Sequence, residues 1–381
     1  MSRTIAVVTS SRADYSHLYW PLKRLSCHPA IELKLIVIGP HLSHEFGATA
    51  GEIERDGFEV AARVECLLSS DTDVGMAKTI GVAVLSLADA LGALRPDLVL
   101  LIADRYEMLA PASVALALRI PIAHIEGGEV SEGAIDDAVR NALTKMSHVH
   151  FTATERARAR VVALGEEPWR VHRVGAPSLD HLRLRTLADP AGLQASLGVD
   201  MTRPTLLVSY HPVTLARDTT HEAGALFGAL ESVPEQIVFS YPNADAGSRA
   251  LIDRTRAFAA GRSNAHVFVN VSAISYWSLL KHASALVGNS SSGIMEAPAF
   301  ALPTVNVGLR QQGRERARNV IDAAADQASI LAAIERARSA EFRASLAGMD
   351  NPYGDGFASD RIVGVLADVP LGQLLIKRAS T

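Results

Sequence analysis

Three acidic residues stand where proton chemistry can be built. Asp104 follows the apolar run Leu98–Ala103 and is itself followed by Arg105; Glu126 follows Ile120–Ile125; Asp136 falls where a helix would begin. Carboxyls gathered near one cleft repel one another and lose hydration, which separates their pKa values and makes one an acid and another a base. Helix initiation explains an acid at Asp136 without any chemistry, so the argument rests on the three together. A second group suits anions. Gly288-Asn289-Ser290-Ser291-Ser292-Gly293 leads into a helical pattern at Ile294–Phe300 that contains Glu296, and small residues with exposed amides at a helix start cradle phosphate. Arg310 stands nearest its strand end in a stretch that also carries Arg314, Arg316 and Arg318, placed to neutralise a pyrophosphate, although a solvated basic face is the ordinary meaning of such a run. Arg12 adds charge beside the Ser/Thr-rich turn Thr9–Ser11, and His211 brings a near-neutral ring to the end of Leu206–Ser209. His41 and His44 with Glu45 lack the HExxH order and an evident third ligand, so no metal is expected. Neither GxGxxG nor GxxxxGK[ST] occurs, which removes the usual support for dinucleotide and P-loop readings.

Short runs, many apolar throughout, must position these groups: Ile5–Val8, Leu33–Ile38, Leu98–Ile102, Ile120–Ile125, His148–Thr152, Leu206–Ser209, Ile237–Tyr241, His266–Val269, Ala285–Val287 and Thr304–Val307. Runs that do not alternate are strands covered on both faces, as in parallel sheets with crossover helices. The fold class is therefore α/β, with βα succession from end to end. Between Val171 and Pro204 lie Gly175, Pro177, Pro190, Gly192 and Gly198 without a comparable run, which puts a domain boundary near 176–200. The expected halves are 1–180 and 200–355, each doubly wound. In such sheets ligands bind at the carboxyl ends of strands, and two units facing each other make a cleft.

Length and composition narrow the classes further. At roughly 150 residues per domain, 381 residues make about two domains, each able to bury a core. A hydrophobic content of 48% and a charged content of 20% exclude disordered and coiled-coil classes. The formal net charge of −4 offers no overall attraction to nucleic acid or anionic membrane. The apolar run at the N-terminus is too short for a signal peptide, and no stretch is expected to reach the roughly 18 apolar residues of a membrane span. The two cysteines, Cys27 and Cys66, form no framework, so a reducing cytoplasm is the expected compartment.

Taken in order, SRADY at Ser11–Tyr15, GPHLSHEFG at Gly39–Gly47, DRYE at Asp104–Glu107, HIEGGEVSEGAIDDAVRNALTKMSH at His124–His148, HPVT at His211–Thr214, YPNADAGS at Tyr241–Ser248, GNSSSGIMEAP at Gly288–Pro298 and VGLRQQGRERARNVI at Val307–Ile321 closely resemble the hydrolysing nucleotide-sugar 2-epimerases. The resemblance implies a glycosyltransferase-B-like architecture: two Rossmann-like domains facing a cleft, the first completed by a C-terminal helix at 356–381. It implies conversion of UDP-N-acetylglucosamine and water to N-acetylmannosamine and UDP through a glycal, toward sialic-acid-type sugars. Asp104, Glu126 and Asp136 match the family's acid/base carboxylates and His211 its cleft histidine. Arg12, Arg105, Asn243, Ser290, Ser291, Glu296 and Arg310 match nucleotide or diphosphate contacts, and His41 a sugar-side position. No metal or redox cofactor is implied, because the substrate carries its own leaving group. Relatives suggest a homo-oligomer, dimer or tetramer.

Three departures leave the sugar open. Ala103 stands where relatives often carry Gly, one additional residue lies between Glu129 and Ile135, and Met295 stands where a sialate-pathway relative carries Arg. A UDP-linked 2,4-diacetamido-2,4,6-trideoxyglucose, leading toward legionaminic acid, or a GDP-sugar uses the same chemistry. A glycosyltransferase of this architecture would need an acceptor site and would not need the three carboxylates. A catalytically silent nucleotide-sugar sensor would not need them either.

Overall fold

The computed structural model describes residues 2–68, 70, 72–132, 135–213, 220–241, 247–269 and 271–378. Two compact units emerge: unit 1 comprises Met1–Glu129, Ile135–Asp180 and Tyr353–Thr381, and unit 2 comprises Val130–Ala134 and His181–Pro352. The short segment Val130–Ala134, expected with the first half, belongs to unit 2, where the Glu132 amide donates to the Gln312 carbonyl at 3.3 Å.

Unit 1 holds seven strands: β1 (Arg3–Thr9), β2 (Ile31–Ile38), β3 (Val60–Val64), β4 (Leu98–Ile102), β5 (Ile122–Ile125), β6 (Val149–Thr152) and β7 (Val171–Arg173). All pairings are parallel, in the order β3-β2-β1-β4-β5-β6-β7. Ile5 and Val7 of β1 pack into one layer of the core and Ala6 and Val8 into the other, so the strand is apolar throughout because both faces are covered. Unit 2 holds β8 (Thr205–Ser209), β9 (Gln236–Ser240), β10 (Ala265–Phe268), β11 (Ala285–Gly288), β12 (Thr304–Val307) and β13 (Val320–Ala323), parallel in the order β10-β9-β8-β11-β12-β13. The chain order reverses between β1 and β4 in one sheet and between β8 and β11 in the other. At such switch points diverging loops leave a crevice at the carboxyl ends.

Three strands were not visible as apolar runs: β3, β7 and β13. Each is an edge strand only partly covered, so its residues need not all be apolar. The chain end is two helices, Ala358–Asp368 and Leu371–Leu374, because Pro370 cannot continue the first. Ile362, Val363, Leu366 and Leu374 complete the core layer beneath the helix Arg12–Ser26. Buried Arg170 holds the end by donating to the carbonyls of Leu374 at 3.0 Å and Ile376 at 2.7 Å.

The helix Asp73–Leu94 is, by length and composition, long and apolar enough to cross a membrane, which the sequence reading did not expect of any segment. Its buried residues Gly75, Thr79, Ala83, Leu87 and Leu91 recur every four positions, and Ala83, Leu87 and Leu91 lie in the core layer against β1 and β4. It is a core-covering helix of unit 1.

Candidate active site

In unit 1 the strands deliver the expected acids side by side. Ile102 of β4 and Ile125 of β5 are register partners, so Asp104 and Glu126 emerge from adjacent strand ends. Both exits turn through the left-handed region without glycine: Ala103 has φ +59° and Glu126 φ +66°. Such residues persist only where surrounding bonds over-determine them, and they cluster at functional sites. Here the Ala103 amide donates to the Ile125 carbonyl at 2.9 Å, the ring Nε2 of buried His124 bonds the Ala103 carbonyl at 2.7 Å, and the Glu126 amide donates to the Phe151 carbonyl at 2.7 Å. Burial pushes the His124 pKa down to about 4, so the ring is neutral and Nε2–H is its donor to that carbonyl.

Each carboxylate has its own basic partner. Arg140, 1% exposed, pairs with Asp104 and donates to the Glu129 carbonyl at 2.9 Å. Arg140 lies on the helix Asp136–Met146, one turn after Asp136 and on the same face, so the helix that begins with the third expected acid is tied to the first. Glu126, 4% exposed, accepts from His17 Nδ1 at 2.8 Å. Two neighbouring carboxyls held by different partners, one permanently cationic and one titratable, can act separately in proton transfer.

Behind them lies a buried polar cluster. Ser11 caps the helix Arg12–Ser26, with Arg12 its first residue, and buried Asp14 accepts from Ser10 Oγ at 2.6 Å and the Ser10 amide at 3.2 Å. Burial raises the Asp14 pKa to about 6 against the opposing pull of Arg105. Arg105 donates to buried Glu107 at 2.7 Å. His41 is fully buried, with Nε2 at 2.9 Å from Thr9 Oγ1 and Nδ1 at 2.7 Å from Thr49 Oγ1. Burial, then the nearby Arg105 charge, pushes its pKa down to about 3. His41 and Arg105 thus brace the switch-point loops.

Unit 2 carries the anion-binding candidates, organised by Asn289. The His211 amide donates to Asn289 Oδ1 at 2.7 Å, and Asn289 Nδ2 returns a bond to the His211 carbonyl at 2.9 Å, locking the ends of β8 and β11 together. The Asn289 carbonyl accepts from Arg310 Nη1 at 3.1 Å and Gln311 Nε2 at 2.9 Å. Gly288 permits this approach: its φ is +142°, and a Cβ there would lie 2.0 Å from the Ser209 carbonyl oxygen. Ser290 and Ser291 open a single helical turn, Ser292–Met295, followed by a 3-10 turn at Ala297–Phe300. The longer helix expected at Ile294–Phe300 is interrupted at Glu296 because Pro298 lacks an amide donor, and Ala301, left-handed at φ 50°, ends the second turn. Glu296, between the turns, is buried. The arginine run is not one solvated face: Arg314 is buried with Nη1 at 3.5 Å from Met295 Sδ, and Arg316 pairs with Asp322. Asn243 and Thr214 lie outside the described residues.

The expected residues therefore fall in two sets: Asp104, Glu126, Asp136, Arg12, His41 and Arg105 in unit 1, and His211, Ser290, Ser291, Glu296 and Arg310 in unit 2. Sequence reasoning passed over Arg140, His17, Asp14 and the organising role of Asn289. Each lies inside a motif already singled out or beside one, but nothing in its residue type announces its partner.

The profile of the UDP-N-acetylglucosamine 2-epimerase family matches residues 23–367. A GDP/UDP-N,N'-diacetylbacillosamine 2-epimerase (hydrolyzing) from Campylobacter jejuni is 36% identical over 349 residues, covering 90% of this chain and 89% of its own. A UDP-N,N'-diacetylbacillosamine 2-epimerase (hydrolyzing) from Legionella pneumophila is 34% identical over 381 residues, 100% of both chains. Among solved structures, the UDP-GlcNAc 2-epimerase from Neisseria meningitidis bound to UDP-GlcNAc superposes with a TM-score of 0.79 at 19% identity, covering 95% of this chain and 99% of that one, a likeness of fold. From motifs in sequence order, matching sheets and relatives aligned over nine-tenths or more of its length, the chain belongs to the UDP-N-acetylglucosamine 2-epimerase family.

Proposed function

We propose that the protein is a hydrolysing nucleotide-sugar 2-epimerase acting on a UDP-linked 2-acetamido sugar. The observation that carries this reading is the pair of carboxyls at adjacent strand ends, partly buried Asp104 and buried Glu126, each with its own cationic or titratable partner. No carbonyl adjoins C2 of such a sugar, so its proton is not acidic at the outset. The C1–O bond to the diphosphate breaks first, UDP leaves with the electron pair, and positive charge develops at C1. A carboxylate of unit 1 then takes the C2 proton, giving a glycal. Water adds its hydroxyl to C1 while C2 receives a proton on the opposite face, which inverts that centre. The Ser290–Ser291 turn and Arg310 of unit 2 stabilise the charge on the departing diphosphate. Asp136 and His211 share the acid/base work of these carboxyls, while Arg12, Arg105, Asn243 and Glu296 serve nucleotide or diphosphate binding and His41 the sugar side.

For the sugar, the relatives at 36% and 34% identity favour the 2,4-diacetamido-2,4,6-trideoxy substrate, UDP-N,N'-diacetylbacillosamine. The family's own description favours UDP-N-acetylglucosamine as the second reading. Incubation with each UDP-sugar in deuterated water, followed by NMR, tests both. The expected products are UDP and the free 2-epimerised sugar carrying deuterium at C2, with the larger kcat/KM for the diacetamido substrate. UDP release only on addition of an acceptor would replace this reading by a glycosyltransferase.

A further inference from the structure

Glu126 poses a problem of aim. Its backbone is fixed by the left-handed φ of +66° and the 2.7 Å bond from its amide to the Phe151 carbonyl, yet three side-chain torsions still separate that anchor from the carboxylate. A buried glutamate free to sample rotamers spends little time in one reactive geometry, and a misplacement of about 1 Å costs on the order of a hundredfold in rate. A pin comes from the helix Arg12–Ser26, whose His17 presents Nδ1 at 2.8 Å from Glu126 Oε1. The side chain of His17 is 20% exposed and that of Glu126 5%.

The helix makes a firm platform. Its start is capped by Ser11 and tied by Asp14 to Ser10, Tyr15 Oη donates to Asp56 at 2.6 Å, and Arg24 pairs with Asp360 at 2.8 Å. Asp104 shows the same arrangement, with Arg140 reaching it from the helix Asp136–Met146. In both cases a helix side chain aims a carboxylate that a strand end delivers.

We propose that His17 is a positioning residue for Glu126, holding Oε1 through Nδ1 and so fixing the direction in which the carboxylate is presented. This rests on the function proposed above. The geometry makes the claim specific to one ring nitrogen. An asparagine amide nitrogen occupies nearly the place of His Nδ1, whereas a glutamine amide nitrogen occupies nearly that of Nε2.

The test is steady-state turnover of both UDP-sugars by the full chain and by His17→Ala, His17→Asn and His17→Gln, with melting temperature and UDP affinity measured alongside. For His17→Ala we expect kcat to fall about 30- to 100-fold with KM and UDP affinity within about twofold of wild type, the size of a lost orienting contact. His17→Asn should recover kcat to within about fivefold of wild type while His17→Gln stays near the alanine variant, because only Asn reproduces the Nδ1 donor. An alanine variant with wild-type kcat, or Asn and Gln variants that behave alike, overturns the proposal and leaves the function standing. Should His17→Ala melt early, the Asn–Gln contrast between two polar replacements decides. A wild-type chain inert toward both sugars removes the function and this role together.

Discussion

Asp104 and Glu126 differ in their company more than in their place. One faces the guanidinium of Arg140 and the other an imidazole, and both leave strands through left-handed turns. Replacing either carboxylate by its amide keeps shape and removes the proton acceptor. Asp104→Asn and Glu126→Gln are each expected to lower turnover about a hundredfold or more while UDP affinity stays close to wild type, the usual scale of acid–base contributions. Rates close to wild type in both variants, read in the deuterium assay, would take them out of the mechanism. At this scale the sequence names the candidate residues and is silent about how they are held. Ala103 is the clearest case: its alanine departs from the glycine often found in relatives, and the structure shows why glycine suits the position, since φ there is +59°.

Elements aim these residues through the close approach of neighbouring strand ends. In unit 2 the β8–β11 contact brings the Ser209 carbonyl into the space a side chain at 288 would need, and Asn289 follows at once with its reciprocal bonds to His211. Gly288→Ala is therefore expected to destabilise unit 2 by about 3 kcal/mol or more, since it combines a disfavoured φ with a backbone clash. It should also weaken UDP binding. Denaturant titration and calorimetry check this, and a variant with wild-type stability would show that the two strand ends can part without cost. Central strands were readable because burial on both faces leaves an unbroken apolar run, whereas β3, β7 and β13 were not, because an edge strand partly facing solvent keeps polar residues.

For the molecule as a whole, the buried histidines set the acid limit of unit 1. Burial holds the pKa of His41 down to about 3 and those of His124 and His148 to about 4, against an ordinary value of 6.5. Above pH 6.5 they are neutral in both folded and unfolded chains. As pH falls below 6.5 the unfolded chain takes up protons that the folded one refuses, so stability is lost down to about pH 4, by up to roughly 1.4 kcal/mol per pH unit for each ring. Asp14 acts oppositely: with its pKa raised to about 6 from 3.8, the folded chain takes up a proton first and gains stability as pH falls through 6. Burial also lowers the pKa values of His150 and His172 and raises that of Glu52, so two carboxyls against five histidines leave a net loss. Between pH 7 and 5, hydrogen exchange corrected for its intrinsic rate should show protection falling more in β1 and β4–β6 than in β8, β11 and β12. Equal losses in both sheets would refute this.

By itself the sequence determined the α/β class and the family and named the candidate site residues, because these depend on local pattern: apolar runs, the residues that follow them, and motifs in fixed order. Only the tertiary structure decided which partner each reactive group receives. Arg140 meets Asp104 across 36 residues, His17 meets Glu126 across 109, and Asn289 meets His211 across 78. Hydrogen bonds between groups so far apart in the chain exist only after sheet order and helix packing have brought them within 3 Å, and no local periodicity encodes that distance.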